Sequence, residues 1–309
     1  MNDNRLETLY NNLNKAIEEE CNEAITVAFS GGIDSTLVAF IANKYCNVEL
    51  IAVGVPGSHD LEAAKSAAKL IGMRLKIIEI NETEMVDKGL EMQKKVDLSG
   101  IEVEFMLPFW IAAKNTTNSV LMCGQGADEL FGGYARFRKE NAEKDLAKEV
   151  KDLVERIPER EEKITSIFNL KLLCPYLNKD VIRTAETFSV NERIGKVGKE
   201  ILRELATNFG LPEEITNRKK KAAQYGSGSQ KAIKNIVKHK IEFQINFESE
   251  KIARAIVKAT EPENTGWVET TIDKNQVRAI VKAKSLGSLR EATEDFMACV
   301  AVAEKVTKD

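Results

Sequence analysis

Two glycine-rich stretches carry the residue types needed for phosphate chemistry. The first is Ser30-Gly31-Gly32-Ile33-Asp34-Ser35. Glycines let backbone N–H groups approach a phosphate, and serine hydroxyls add donors. A helix opening directly after them adds positive potential. Asp34 has no place beside a bare phosphate, because like charges repel. It makes sense as a magnesium ligand, with the metal bridging to pyrophosphate oxygens. The Walker ending Gly-Lys-Ser/Thr is absent. The second stretch is Gly124-Gln125-Gly126-Ala127-Asp128-Glu129. Adjacent carboxylates at a helix start are, alone, only helix-favouring charge. Beside a phosphate loop, Asp128 reads better as a second metal ligand, and Glu129 must point elsewhere.

Alternating strands and helices must position these stretches. Leu6, Leu9, Leu13 and Ile17 recur at helical spacing, which predicts a helix over 4–20. Ala24 to Phe29 is a short β-branched run, a buried strand that feeds the first loop. A helix over Thr36 to Lys44 follows, then strands over Val48–Val55 and Arg74–Ile80 flanking a helix from His59 to Ile71. Glu82 to Lys95 reads as helix, and Ser119 to Cys123 as the strand feeding the second loop. This alternation predicts an α/β fold with a largely parallel sheet. Phe137 to Lys163 is dense in both charge signs, as on a solvated helix face, and Leu170 to Gly210 reads as further helix. After Lys240 the character changes. Ile252 to Lys258 partly alternates, Thr270–Ile272 and Val277–Lys284 look like strands, and Gly287–Lys305 like a closing helix. A boundary near 240–246 divides the chain into domains of 1–240 and 246–309.

Composition excludes several classes. The 309 residues carry a net charge of −3 and 43% hydrophobic residues, an ordinary globular make-up. The five cysteines (Cys21, Cys46, Cys123, Cys174, Cys299) are scattered in sequence and form no C-x-x-C pair, which argues against a disulfide framework or zinc ribbon. A reducing, cytoplasmic setting is expected. Met1 to Tyr10 carries no signal-peptide core, and no apolar run is long enough to span a membrane. With only His59 and His239, a histidine metal site or a Ser-His-Asp triad is improbable. The small net charge hides an asymmetry: Arg218, Lys219, Lys220, Lys221, Lys231, Lys234, Lys238 and Lys240 fall within Thr216–Lys240, which has no acidic residue. The lysines at 231, 234 and 238 lie at helical spacing, as a nucleic-acid-facing stripe or merely a soluble helix face.

The loop SGGIDS resembles the PP-loop of ATP pyrophosphatases, in particular their asparagine-synthetase-like branch. Ala52 to Asp60 resembles that branch's adenosine-receiving strand segment, Val120 to Tyr134 its S-G-E-G-x-D-E signature, and Arg218 to Gly226 its late R-x-K…G segment. The resemblance covers about residues 20–235. It implies a PP-loop domain (adenine nucleotide alpha hydrolase-like) with a helical extension. ATP and Mg2+ would bind there, a substrate oxygen would attack the α-phosphorus, and ammonia or an amine would displace AMP. Ser30, Gly31, Gly32 and Ser35 would hold pyrophosphate; Asp34 and Asp128 would bind the metal. Ala28, Val53, Gly124 and Gln125 would line the nucleotide, and Lys220 would stabilise transition-state charge.

Departures from the pattern qualify the acceptor. Gln125 stands where asparagine synthetases carry a proton-accepting Glu, and an amide is no general base. Asn178 replaces an Asp in the segment Leu173–Asn178, and Cys123 replaces a Ser. Cys123 reads as a small buried hydrophobe, with a sulfur-carrier role as the sharper alternative and Cys174 as a second thiol. No cysteine follows Met1 and there is no room for a glutaminase half, so free ammonia, a separate amidotransferase or another amine is expected as nitrogen source. Residues 248–306, through Glu261-Pro262-Glu263-Asn264 and Ser285 to Arg290, resemble the small dimerising subunit of the KEOPS tRNA-modification complex. This implies a small α+β C-terminal domain that forms a homodimer, docks a KEOPS-like partner or touches tRNA. Ser288 and Arg290 at a helix start would bind phosphate or serve as plain cap and surface charge. The expected function is an AMP-forming ligase of the asparagine-synthetase type. The alternatives are a tRNA-modifying PP-loop enzyme and a non-catalytic nucleotide-binding adaptor.

Overall fold

The computed structural model describes residues 4–96, 98, 100–134, 150, 159–195, 197–218, 239–261, 268–283 and 286–308. The chain divides into two compact units, Met1–Lys231 and Ala232–Asp309. The first runs α1 (Asn4–Glu18), β1 (Ile25–Ala28), α2 (Ile33–Ala42), β2 (Val48–Gly54), α3 (His59–Leu70), β3 (Leu75–Glu79), α4 (Glu82–Lys95), α5 (Gly100–Lys114), β4 (Val120–Met122) and α6 (Ala127–Leu130). It continues through β5 (Lys171–Leu173), a 3-10 turn (Pro175–Leu177), α7 (Lys179–Glu186), α8 (Val190–Ile194), α9 (Glu200–Asn208) and α10 (Glu213–Thr216). The second runs β6 (His239–Asn246), α11 (Glu250–Thr260), β7 (Val268–Asp273), β8 (Gln276–Ala283) and α12 (Leu286–Lys308).

The first unit is an α/β layer structure around a five-stranded sheet of order β3-β2-β1-β4-β5, parallel at every described pairing. From β1 the chain moves outward to β2 and β3, then returns to place β4 on the other side of β1. This reversal is the topological switch point, where loops leaving two neighbouring strands diverge and open a crevice. Both glycine-rich stretches leave the sheet there, after β1 and after β4. β1 is buried along Ile25, Thr26 and Val27, as a central parallel strand requires. α2 is buried on nearly every side, with Leu37, Val38 and Ala39 fully enclosed. The α1 stripe Leu9, Leu13 and Ile17 is likewise buried, and α1 packs on α2 and α7.

Several elements differ from the sequence reading for identifiable reasons. α5 gives no helical period because it is apolar almost all round: Met106, Leu107, Trp110, Ile111 and Ala112 are buried together. The supposed helix over Leu170–Gly210 begins with β5, which pairs with β4 and ends at Leu173, before the turn that opens at Pro175. Ile252–Lys258 is part of helix α11, not an alternating strand. Its Ser249 cap accepts from Ile252 N, and Ala253, Ile256 and Thr260 form its buried face. The second unit begins before the 240–246 boundary, because β6 pairs with β8 along its whole length from His239 to Asn246. The expected solvated helix over Phe137–Lys163 lies mostly outside the described residues.

The second unit is a three-stranded antiparallel sheet, order β6-β8-β7, contacted by α11 and α12. Val277, Ala279 and Val281 of β8 face the core with Ile256, Phe296 and Val300. Of the alternate residues Gln276, Arg278 and Lys282 are polar and Ile280 is not, and ion pairs join Arg278 to Glu242 and Lys282 to Glu269. On α12, Met297 (43% exposed), Val302 (63%) and Val306 (71%) are exposed apolar residues, and Val302 and Val306, four apart, share one face. Among the described residues no helix is long and apolar enough to cross a membrane.

Leu37→Ala removes a wholly enclosed side chain from the helix behind the first loop. Urea unfolding of that variant is expected to show a loss of about 2–5 kcal/mol.

Candidate nucleotide and metal site

The first loop is a cradle that ends on an uncapped helix start, with Ser30 N and Gly32 N held by the serine hydroxyls within the loop. Gly32 is the N-cap of α2 and offers no side-chain cap, so the first-turn N–H groups face outward for an anion. The Ser30 and Ser35 hydroxyls lie 3.2 Å apart, and Ser30 N donates to Ser35 Oγ at 3.2 Å. Thr36 Oγ1 donates back to Gly32 O at 2.8 Å and pins the turn. Gly31 sits at φ +69°, and a Cβ there would fall 2.4 Å from the Ala63 carbonyl of α3. No larger residue fits without moving a helix. Arg218 Nη1 closes the back of the loop, donating to Gly31 O at 3.2 Å and Ala63 O at 3.0 Å.

The two predicted metal ligands meet at one point, and a lysine holds that point. Lys199 Nζ lies 2.6 Å from both Asp34 carboxylate oxygens and 2.6 Å from Asp128 Oδ1. Its side chain is 3% exposed, against 10% for Asp34 and 15% for Asp128. Lys199 takes a left-handed backbone, φ 58°, at the start of α9. A bulky residue in that region stores strain, which collects at functional sites. Gly133 makes the approach possible: a Cβ there would lie 1.9 Å from Asp128 Oδ1 and 2.3 Å from Lys199 Cε. Arg203 fastens the Lys199 turn to the rest, donating to Gly198 O at 2.9 Å, to Thr216 O and to Arg218 O at 3.1 Å. Sequence reasoning missed both Lys199 and Arg203. The cue for the former was the glycine pair Gly195 and Gly198, which interrupts an otherwise helical stretch.

The second loop packs directly on the first. Gly124 approaches α2 so closely that a Cβ would lie 2.9 Å from both Asp34 Cβ and Ser35 N. Gly126, at φ +93°, rests on Tyr176 and Leu177. Tyr176 is fully buried and donates to Asp34 O at 3.1 Å. Burial pushes its phenol well above the usual range, and the Asp34 and Asp128 charges push the same way, so it stays a donor. Glu129 does point elsewhere, accepting from Tyr134 Oη at 2.7 Å. Asn178 caps α7, accepting from Asp180 N at 2.9 Å. Ala28 ends β1 half-buried and pairs with Ile51, so Ala52 and Val53 run on past β1 as a wall beside the loop. Gln125 is half-buried at the mouth of the second loop. Lys220 lies outside the described residues, as do Lys231, Lys234 and Lys238. Arg218, two positions before Lys220, is tied to the first loop.

The donor set fits magnesium. The carboxylates already converge on one cationic group, and both offer hard oxygens. Among the described residues no cluster of three or more His, Cys, Asp and Glu exists. Magnesium commonly takes one or two carboxylates and completes its shell with phosphate oxygens and water.

An uncapped helix start at a parallel-sheet switch point, with two carboxylates converging across it, defines a PP-loop synthetase domain. The asparagine synthase family pattern matches residues 9–157 and 146–290, and the chain belongs to that family. A Methanocaldococcus jannaschii protein named "Putative asparagine synthetase (glutamine-hydrolyzing) 1" is 31% identical over 264 residues, covering 70% of this chain and 48% of its own. Asparagine synthetase B (glutamine-hydrolyzing) of Escherichia coli K12 is 26% identical over 250 residues, covering 71% and 45%. The chain thus spans about half the length of these relatives. Among solved structures, NMN synthetase from Francisella tularensis aligns at TM-score 0.40 and 13% identity, covering 75% of this chain and 84% of that one. A predicted subunit of tRNA methyltransferase from Methanocaldococcus jannaschii aligns at TM-score 0.32 and 21% identity, covering 63% and 92%. Both structural likenesses are too slight to bear on function.

Lys199→Met leaves two buried carboxylates facing each other without their ammonium. Losing one partner of a buried ion pair costs about 3–5 kcal/mol. The variant is expected to melt well below the parent in chelator. Millimolar Mg2+ is expected to raise its melting temperature more than the parent's, as differential scanning fluorimetry would show.

Proposed function

We propose that this chain is an ATP-dependent adenylating ligase of the asparagine-synthetase type, converting ATP to AMP and pyrophosphate through an adenylated acceptor. The observation that carries this reading is the convergence of Asp34 and Asp128 on one cation position above the uncapped N-terminus of α2. An acceptor oxygen attacks the α-phosphorus, and the pyrophosphate leaves with the bridging electron pair. Charge therefore grows on the pyrophosphate, where the N–H groups of the first loop and the hydroxyls of Ser30 and Ser35 are aimed. Asp34 and Asp128 would hold Mg2+, which would supply neutralisation of that charge, and Lys199 keeps its ammonium beside both carboxylates. Lys220, by its place after the anchored Arg218, supplies charge to the pentavalent and tetrahedral states. Ala28, Val53 and Gly124 line the nucleoside. Ammonia or an amine then displaces AMP. Gln125 accepts no proton in that step, so the nucleophile arrives neutral or is deprotonated by the acceptor's own surroundings.

A second reading is favoured by Gln125 together with the cationic segment that follows Arg218. In it the oxygen activated belongs to a tRNA base. The second unit, with its β-α-β-β-α order and the exposed apolar pair Val302 and Val306 on one face of α12, supports a KEOPS-small-subunit-like module that forms a homodimer or docks a partner. A separate amidotransferase is the third partner class. The proposed setting is the cytoplasm.

Pyrophosphate release from Mg·ATP separates these readings. Release stimulated by aspartate with ammonium, and yielding asparagine, supports the first. Release stimulated only by tRNA, falling steeply with salt as phosphate contacts require, supports the second. Asp34→Asn is expected to reduce release by about 100-fold or more. Production of ADP and orthophosphate in place of AMP and pyrophosphate overturns both. Val302→Glu is expected to turn a dimer into monomers in light scattering; an unchanged mass rejects the α12 interface.

A further inference from the structure

Four of the five cysteines, scattered in sequence, meet as two pairs in space. The Cys123 and Cys174 sulfurs lie 3.4 Å apart at the ends of β4 and β5. Met122 pairs with Leu173, and Cys123 N continues the ladder by donating to Leu173 O at 3.0 Å, so the two cysteines are neighbours in register. Adjacent strands lie about 4.8 Å apart, inside the range of Cα separations that a disulfide spans. Both thiols are free, Cys123 buried and Cys174 partly exposed. Each is joined to the site by a short chain of contacts. Gly124, next to Cys123, packs on Asp34 and Ser35. Tyr176, two residues from Cys174, holds the Asp34 carbonyl.

We propose that Cys123 and Cys174 form a reversible dithiol–disulfide site, oxidised by small-molecule disulfides, whose closure distorts the Asp34 turn and weakens nucleotide binding. The chemistry balances. The Cys174 thiolate attacks the external disulfide and expels one small thiolate. The Cys123 thiolate then attacks the Cys174 sulfur and expels the second. Two cysteines lose two electrons, the reagent gains them, and the two cysteine protons end on the two small thiols. Closure must draw the sulfurs from 3.4 Å to a bond of about 2.05 Å. That pulls together Gly124 and Tyr176, the two groups that hold Asp34. The contact with Cys123 and burial push the Cys174 thiol well up, which keeps it protonated and makes its exchange with a small disulfide slow. The effect on ATP rests on the function proposed above; the disulfide and the distortion do not.

Cys21 and Cys46 make a second pair, hydrogen-bonded to each other at the opposite end of the sheet, with the Cys21 thiol pushed up to about 12 by burial. They serve as the internal control. The whole chain is equilibrated with oxidised and reduced glutathione, and bridges are located by peptide mass. Amide exchange over residues 31–37 and the affinity for a fluorescent Mg·ATP analogue are then read in both states. The expected result is a Cys123–Cys174 bridge, faster exchange over 31–37, and at least tenfold weaker nucleotide binding, all reversed by dithiothreitol. Cys174→Ser, or Cys123→Ser where that variant folds better, keeps the reduced affinity under the same oxidation. No bridge, a bridge only at Cys21–Cys46, or a Cys123–Cys174 bridge with unchanged exchange overturns the proposal. If the reduced chain binds no nucleotide, the ligase reading fails, and the bridge and exchange data still decide this one.

Discussion

The ammonium of Lys199 between Asp34 and Asp128 is the interaction around which the first unit is arranged. Asp34 comes from the helix after β1, Asp128 from the helix after β4, and Lys199 from a turn about seventy positions further on. Two carboxylates brought out of water at such short range repel unless a cation stands between them. Meeting that condition accounts for otherwise unrelated features: the left-handed backbone at Lys199, the bare Gly133, and the Arg203 bonds that pin the Lys199 turn. Strain and lost side-chain freedom are tolerated because the ion contacts offset them.

The sheet supplies the other half of the constraint. Strand order places β1 beside β4, and their parallel pairing brings both loops out on one edge. Gly124 then allows backbone to lie directly on α2. The glycines of the two loops thus do different work. Gly31 makes room for α3, Gly124 for α2, and Gly126 for the Tyr176 turn.

Most of this site was legible in the sequence because it is local. A strand, a glycine loop and a helix start sit within a dozen positions of one another, and their chemistry follows from residue type. Lys199, Arg203 and the contact between Cys123 and Cys174, two thiols the sequence only named together, were not legible, because each depends on where distant segments land. Helix α5 was silent for the opposite reason: enclosed on all sides, it has no polar face to set a period. In the second unit, β7, β8 and α12 were readable from pattern. α11 was masked because Ile252 and Val257 flank its buried stripe and imitate alternation.

Lys199 also sets the charge at the switch point. One ammonium against two carboxylates leaves that trio net negative. On the proposed function, a bare triphosphate would be repelled by the carboxylates that a metal-bound triphosphate would satisfy. The trio would then act as a charge filter and make the metal a condition of entry.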